Sequence, residues 1–126
     1  MALPGRGFAP GRHSIEAYGR GGFRFGGISH VGSILALPSG VHAWRPLGLA
    51  EITQESLDVV YSDSANLDLL FIGTGVLVGA IAPEICARLS EYGIRFEFMQ
   101  TSTAARTYNV LLQEGRRVGA ALIAVE

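Results

Sequence analysis

The residues whose types and spacing could do chemistry lie in the last quarter of the chain, where Asn109 follows Arg106 after about one helical turn. The run Thr101-Ser102-Thr103 predicts that a helix begins just before them, because threonine and serine cap helix N-termini. Arg106 then falls in the first turn, beside backbone N–H groups that carry partial positive charge. An exposed cation there costs about 0.3–1 kcal/mol, so we expect Arg106 to have an anionic partner.

One interpretation of this pattern is a binding site for a small carboxylate or phosphate. Gly73-Thr74-Gly75 and Thr101 each follow a predicted strand, and the carboxyl ends of parallel strands meet at one edge of a sheet. The candidate rim for a ligand or partner consists of Gly73, Thr74, Gly75, Thr101, Arg106 and Asn109. The other interpretation is structural, with Arg106 paired to Asp68 or Glu84 and Asn109 bound to backbone. The residues leave both interpretations open.

The segment after Gly75 is almost wholly apolar, although its position predicts a loop. Such a loop must either cover the core or contact something else. Core cover is the preferred interpretation, and a contact for a protein partner, a membrane surface or a second copy is the alternative. The candidate contact residues are Val76, Leu77, Val78 and Ile81.

Nucleotide and metal sites are not indicated. The glycines at 73 and 75 could open a dinucleotide motif, but the next helix is predicted only from Pro83, too late to face a pyrophosphate. A glycine turn at a crowded strand end is favoured instead. His13, His30 and His42 are scattered and lie near no carboxylate cluster, so we expect no metal and no cofactor.

No catalytic residue is predicted. Ser33 lies in a strand context and lacks the strand–turn–helix elbow that exposes a nucleophile. Cys86 has no histidine close in sequence, and a buried structural thiol is the favoured interpretation. Enzymatic activity is therefore less favoured than binding.

Composition excludes several classes of protein. The 126 residues include ten arginines, no lysine and eleven acids, and the net charge of −1 lacks the basic field of a nucleic-acid-binding protein. One cysteine excludes an intrachain disulfide. The apolar run Leu69 to Pro83 is shorter than the ~20 residues of a spanning helix, so no membrane span is expected.

The order of predicted elements indicates the fold class. Glycines between Ser14 and Trp44 predict short antiparallel strands joined by tight turns. Three helices and three strands then alternate, with helices at 53–61, 83–93 and 103–114 and strands at 67–72, 94–99 and 118–125. This alternation predicts a three-layer α/β domain: a mixed central sheet flanked by helices, with an N-terminal antiparallel β-hairpin layer. Residues 1–13 are expected to form a flexible leader, and 14–126 the single domain.

Several motifs carry a family resemblance over residues 15–125. FRFGG, GSILALP, IGTG and the block MQTSTAARTYNVLLQEGRRVGAALIAV resemble the small α/β family of the mitochondrial complex I assembly factor three and the adipogenesis-associated domain protein. Uncharacterised bacterial proteins also belong to that family. The resemblance implies a three-layer fold and no established catalytic activity. Its shared pattern covers 73–75 and Thr101, with Arg106, Thr107, Tyr108 and Asn109.

The expected function is therefore a non-enzymatic interaction or assembly factor. The resemblance links it to biogenesis of a respiratory complex or of inner-membrane proteins, with a membrane-complex subunit or another assembly factor as partner. With it goes the expectation of a bacterial, cytoplasmic protein, peripheral at the inner membrane. A monomer or a weak homodimer is expected. The alternative is a protein, catalytic or not, that binds a small anionic ligand at Arg106.

Overall fold

The computed structural model describes residues 7–126, which form strands, α-helices and three 3₁₀ turns. The strands are β1 Phe8–Pro10, β2 Ala17–Gly19, β3 Gly22–Phe25, β4 Ile28–Val31, β5 Ser33–Leu37, β6 Gly40–Trp44, β7 Leu69–Gly73, β8 Arg95–Met99 and β9 Val118–Leu122. The helices are α1 Asp58–Ser62, α2 Pro83–Glu91 and α3 Thr101–Gln113. The 3₁₀ turns are Leu49–Glu51, Glu55–Leu57 and Ser64–Asn66.

A six-stranded mixed sheet forms the centre, in the order β1-β6-β5-β9-β7-β8. Strand β7 pairs in parallel with both β8 and β9, so that Phe71 lies between Glu97 and Ala120. The other pairings of this sheet are antiparallel. Helices connect β7, β8 and β9 because parallel strands need crossover connections. The predicted mixed central sheet is confirmed.

The central sheet lies between two other layers. On one face, Leu35, Leu70 and Ile72 pack with residues of α1 and α2, including Val60 and Leu89. On the other face, the neighbouring positions Ile34 and Phe71 pack against Ala104 and Tyr108 of α3, and Phe25 of the hairpin layer joins them. The side chains alternate between faces as the period of a strand requires. The predicted three layers are confirmed.

The hairpin layer is a separate antiparallel sheet of β2, β3 and β4. The sequence pattern from His30 to Leu37 predicts one longer strand, but Gly32 has φ +108° and divides it into β4 and β5. Only glycine adopts that backbone conformation without strain. The chain therefore passes from the hairpin layer to the central sheet at Gly32.

The expected leader of residues 1–13 is wrong for 8–10, while residues 1–6 lie outside the described part of the chain. Strand β1 pairs with β6 through the register Phe8↔His42 and Pro10↔Gly40, and Ala9 is buried. Glycine and proline at the start of the chain concealed this strand, because both are uncommon inside strands.

None of the helices described between residues 7 and 126 combines the length and the apolar composition needed to cross a membrane.

Candidate functional site

The candidate rim lies where β7, β8 and β9 end. Because these strands are parallel, Gly73, Met99 and Leu122 reach the same edge of the sheet, as predicted for the first two. Helix α3 begins immediately after β8, and the apolar segment 76–82 follows β7. The structure thus brings the two strand-end loops together.

Thr101 joins the three strand ends through its buried hydroxyl. The Oγ1 atom donates to the carbonyl of Ile123 at 2.7 Å and accepts from the backbone N–H of Gly75 at 2.9 Å. The Thr101 N–H also donates to the Gly75 carbonyl at 2.9 Å. A Cβ on Gly73 would lie 2.8 Å from the Thr101 Cα, so this turn is crowded, as its interpretation predicts. Thr101 and its neighbours bind one another.

Thr74 holds the start of the apolar segment in a fixed conformation. Its Oγ1 donates to the carbonyl of Leu77 at 2.7 Å and accepts from the N–H of Gly79 at 3.1 Å. The Nε2 of Gln100 donates to the carbonyl of Val76 at 2.8 Å. The polar groups of the rim therefore fix the backbone on which the apolar side chains stand.

Three of the four candidate apolar contacts face outward. Val76, Leu77 and Val78 are 69%, 78% and 61% exposed, whereas Ile81 is buried. The preferred interpretation, core cover, is wrong for 76–78 and correct for Ile81. The reason is local: three hydrogen bonds pull the backbone of the segment toward the sheet and leave these side chains pointing away from it. We call Val76, Leu77 and Val78 the apolar loop.

Arg106 does not lie in the first turn of a helix. Helix α3 begins at Thr101, which places Arg106 in the second turn, exposed to solvent. Among residues 7–126 its side chain makes no hydrogen bond and no ion pair. The suggested partner Asp68 instead binds Arg117 at 2.7 Å, and this contact lowers the pKa of the Asp68 carboxyl. The anion site at Arg106 stays a prediction.

Asn109 lies away from the strand ends and binds the N-terminal segment. Its Oδ1 accepts from the N–H of Ile15 at 2.7 Å, and its Nδ2 donates to the carbonyl of the same residue at 2.8 Å. The side-chain amide thus binds both the N–H and the C=O of Ile15, as a neighbouring strand would. This contact is the internal tie that the structural interpretation proposed for Asn109.

Tyr108 makes a second contact with that segment. Its hydroxyl donates to the carbonyl of His13 at 2.9 Å, and burial raises the pKa of Tyr108 to about 12. Sequence reasoning included Tyr108 in the family pattern but missed this bond. The signal was available, since a buried tyrosine hydroxyl requires a partner.

The histidines and Cys86 are dispersed. His13 Nε2 lies 2.9 Å from the Pro10 carbonyl, and His42 Nε2 lies 3.1 Å from the Ser39 hydroxyl. Burial lowers the pKa of His30 and of His42. Cys86 is half-buried beside the carbonyl of Ile81. Within residues 7–126, no group of three or more His, Cys, Asp or Glu side chains is placed to hold a metal ion.

A comparison with protein families identifies the chain. The family described as "Protein of unknown function (DUF498/DUF598)" matches residues 15–123. The chain belongs to this family. The match includes the rim, the apolar loop and the residues of α3 that bind the N-terminal segment.

Curated relatives of the chain bear two kinds of name. An uncharacterised protein of Rhodobacter capsulatus is 37% identical over 123 residues, which cover 98% of this chain and 93% of the relative. The Xenopus tropicalis protein named NADH dehydrogenase [ubiquinone] 1 alpha subcomplex assembly factor 3 is 32% identical over 109 residues. That match covers 86% of this chain but 60% of the assembly factor. The family resemblance is confirmed.

Solved structures of the family share the fold. A crystal structure described as an outer membrane protein from Bartonella henselae has a TM-score of 0.89 and 45% identity, covering 93% of this chain and 98% of that one. A solution structure from Bordetella pertussis, described as a Mth938-like domain, has a TM-score of 0.78 and 29% identity, covering 90% and 88%. The chain therefore has the Mth938-like fold.

Proposed function

We propose that this protein is a non-enzymatic assembly factor that binds a protein partner through the apolar loop. One observation carries the proposal: three consecutive apolar side chains are exposed on a backbone held by hydrogen bonds from Thr74 and Gln100. The relatives named as complex I assembly factors support a subunit of a respiratory or other inner-membrane complex as the partner. In this proposal the protein is cytoplasmic and reaches the membrane through that partner.

The energetics of the loop suit reversible binding. Full burial of a valine or leucine side chain stabilises a complex by about 1.5–3 kcal/mol, so three of them can supply much of a moderate affinity. Because the loop backbone is already fixed, binding costs less conformational entropy than it would for a loop without such bonds. Just after the loop, the side chain of Leu49 lies so close to Gly79 that a Cβ there would clash with it.

Affinity capture from native membranes tests the proposal. The bait is the full chain, compared with the triple variant Val76→Ser, Leu77→Ser, Val78→Ser. We expect the wild type to enrich subunits of a respiratory or other membrane complex, and the triple variant to lose at least about tenfold of this enrichment, equivalent to about 1.4 kcal/mol.

A matched control separates the loop from general surface hydrophobicity. Val31 and Val110 are also exposed, at 82% and 55%, on the hairpin layer and on α3. The double variant Val31→Ser, Val110→Ser should capture the same subunits as the wild type. Equal capture by the triple variant and the wild type would contradict the proposed contact, and a wild type that enriches no membrane-complex subunit would contradict the assembly role.

A further inference from the structure

The two edges of the central sheet differ in how they are protected. Strand β1, at one edge, has three residues and ends in Pro10, which has no N–H to donate. Strand β8, at the other edge, has five residues and contains neither proline nor glycine. Short strands and prolines protect edges against pairing, so β8 is the edge open to another strand.

The backbone of β8 has groups available for such pairing. The Arg95 N–H donates to the Asp68 carbonyl at 3.0 Å, and the Met99 carbonyl accepts from the Thr74 N–H at 2.9 Å. Both therefore point toward β7. Because successive residues of a strand alternate in direction, the N–H and C=O groups of Phe96 and Phe98 point to the free edge. Within residues 7–126 these outward groups have no hydrogen-bond partner.

The surface along this edge is concave. A cleft of about 690 Å³ runs beside Ile94–Glu97, between the end of α2 and the start of β9. Its lining includes Ser90, Gly93 and Arg116. An extended chain beside the first half of β8 would occupy this cleft.

The side chains of β8 alternate in charge and in direction. Phe96 and Phe98 pack on the core at the α2 face, while Arg95 and Glu97 lie on the other face and are exposed. We propose that β8 pairs antiparallel with β8 of a second copy, about a two-fold axis at Phe96. Arg95 then faces Glu97 of the second copy, and the axis makes this pair twice.

The charges of Arg95 and Glu97 favour a second copy of the chain as the partner of β8. They also favour the pairing whose two-fold axis lies at Phe96. Opposite charges that face each other across two strands stabilise the pair by about 0.2–1 kcal/mol, and like charges destabilise it by a similar amount. A two-fold axis at Glu97 would set the two Glu97 carboxylates against each other. The arrangement about Phe96 avoids this repulsion and matches an isologous dimer, in which one patch pairs with itself.

Charge reversal tests the dimer by sedimentation equilibrium of the full chain. We expect reversible dimers of the wild type and a dissociation constant raised at least about tenfold by Arg95→Glu or by Glu97→Arg, since each sets like charges against each other twice. An equimolar mixture of the two variants should recover wild-type association, because every facing pair is then of opposite charge. This recovery also shows that both variants are folded.

Two results would overturn the proposal. One is a wild type that stays monomeric at about 1 mM, and the other is a mixture that associates no better than the separate variants. Cysteine crosslinking in a Cys86→Ser background tests the register. Arg95→Cys mixed with Glu97→Cys should form a disulfide between copies, whereas a disulfide formed by Glu97→Cys alone would contradict the register at Phe96.

Discussion

Helix α3 and the apolar loop meet at the same edge of the sheet and are arranged in opposite ways. Three polar side chains of α3 in the family pattern, Thr101, Tyr108 and Asn109, turn inward and bind backbone groups, whereas Arg106 is exposed. The apolar side chains of the loop turn outward. In this structure the polar side chains of the motif bind the chain's own backbone, and the hydrophobic side chains of the loop are the exposed ones.

The difference follows from the cost of burial. A backbone N–H or C=O left unpaired in the interior costs about 1–3 kcal/mol, so polar side chains that satisfy such groups are strongly required. An exposed apolar side chain destabilises the fold little. Three in sequence contribute stabilisation only when another surface covers them.

The largest effect expected is that of Thr101→Val. Valine has nearly the shape of threonine but can bind neither the Gly75 N–H nor the Ile123 carbonyl, and both bonds are buried. Two unsatisfied groups should lower the free energy of unfolding by about 3–4 kcal/mol, measured by urea denaturation. Thr103→Val, on the half-buried neighbouring position, is the control and should cost less than about 1 kcal/mol. Similar costs for the two variants would show that Thr101 is not a structural residue.

Asn109→Ala should cost less, about 2 kcal/mol, because water can reach the partly buried Ile15 groups that lose their partner. Asn109→Asp is the informative control. Its carboxylate can still accept from the Ile15 N–H but faces the Ile15 carbonyl without a proton to donate, so it should remain destabilised at neutral pH. An aspartate variant as stable as the wild type would contradict the two-bond contact.

Much of the fold could be predicted from local patterns. The unbroken apolar run of β7, Pro83 at the start of α2 and Gly115 after α3 each mark an element by its own residues. Parallel strands then place Gly73 and Met99 at one edge, as observed. Strand β1 was missed because its pairing with β6 depends on residues thirty or more positions away.

The candidate site was less predictable because side-chain direction depends on tertiary contacts. Moving the start of α3 from Thr103 to Thr101 shifts Arg106 from the first turn to the second and removes the electrostatic argument for an anion. Asn109 binds Ile15 across a separation of 94 residues, which no local pattern could indicate. The loop was interpreted as core cover because its apolar residue types do not show which way its backbone is held by the short-range bonds of Thr74 and the long-range bond of Gln100.

Tyr108→Phe should cost about 1 kcal/mol at neutral pH, where the His13 carbonyl loses its donor. This difference should depend on pH. The pKa of Tyr108 rises from 10.0 to about 12 on folding, so above pH 10 the unfolded state loses a proton that the folded state keeps. The free energy of unfolding of the wild type then falls by about 1.4 kcal/mol per pH unit, and that of the phenylalanine variant does not show this fall.

Unfolding curves of both proteins between neutral pH and pH 12 check this expectation, since the remaining tyrosines are common to the two chains and cancel. The stability difference should narrow above pH 10 and then reverse in sign. A constant difference over this range would mean that the Tyr108 hydroxyl is not buried.

The smallest effect on stability is expected for Arg106→Ala, below about 0.5 kcal/mol, because the side chain is exposed and has no partner among residues 7–126. Leu77→Ala should have an equally small effect on stability, yet only the leucine change should weaken capture of a membrane-complex subunit.

Thermal shifts with phosphate, citrate and other metabolite anions separate the two sites further. An anion that stabilises the wild type more than Arg106→Ala would assign ligand binding to α3 and break the contrast between its inward polar groups and the outward apolar loop.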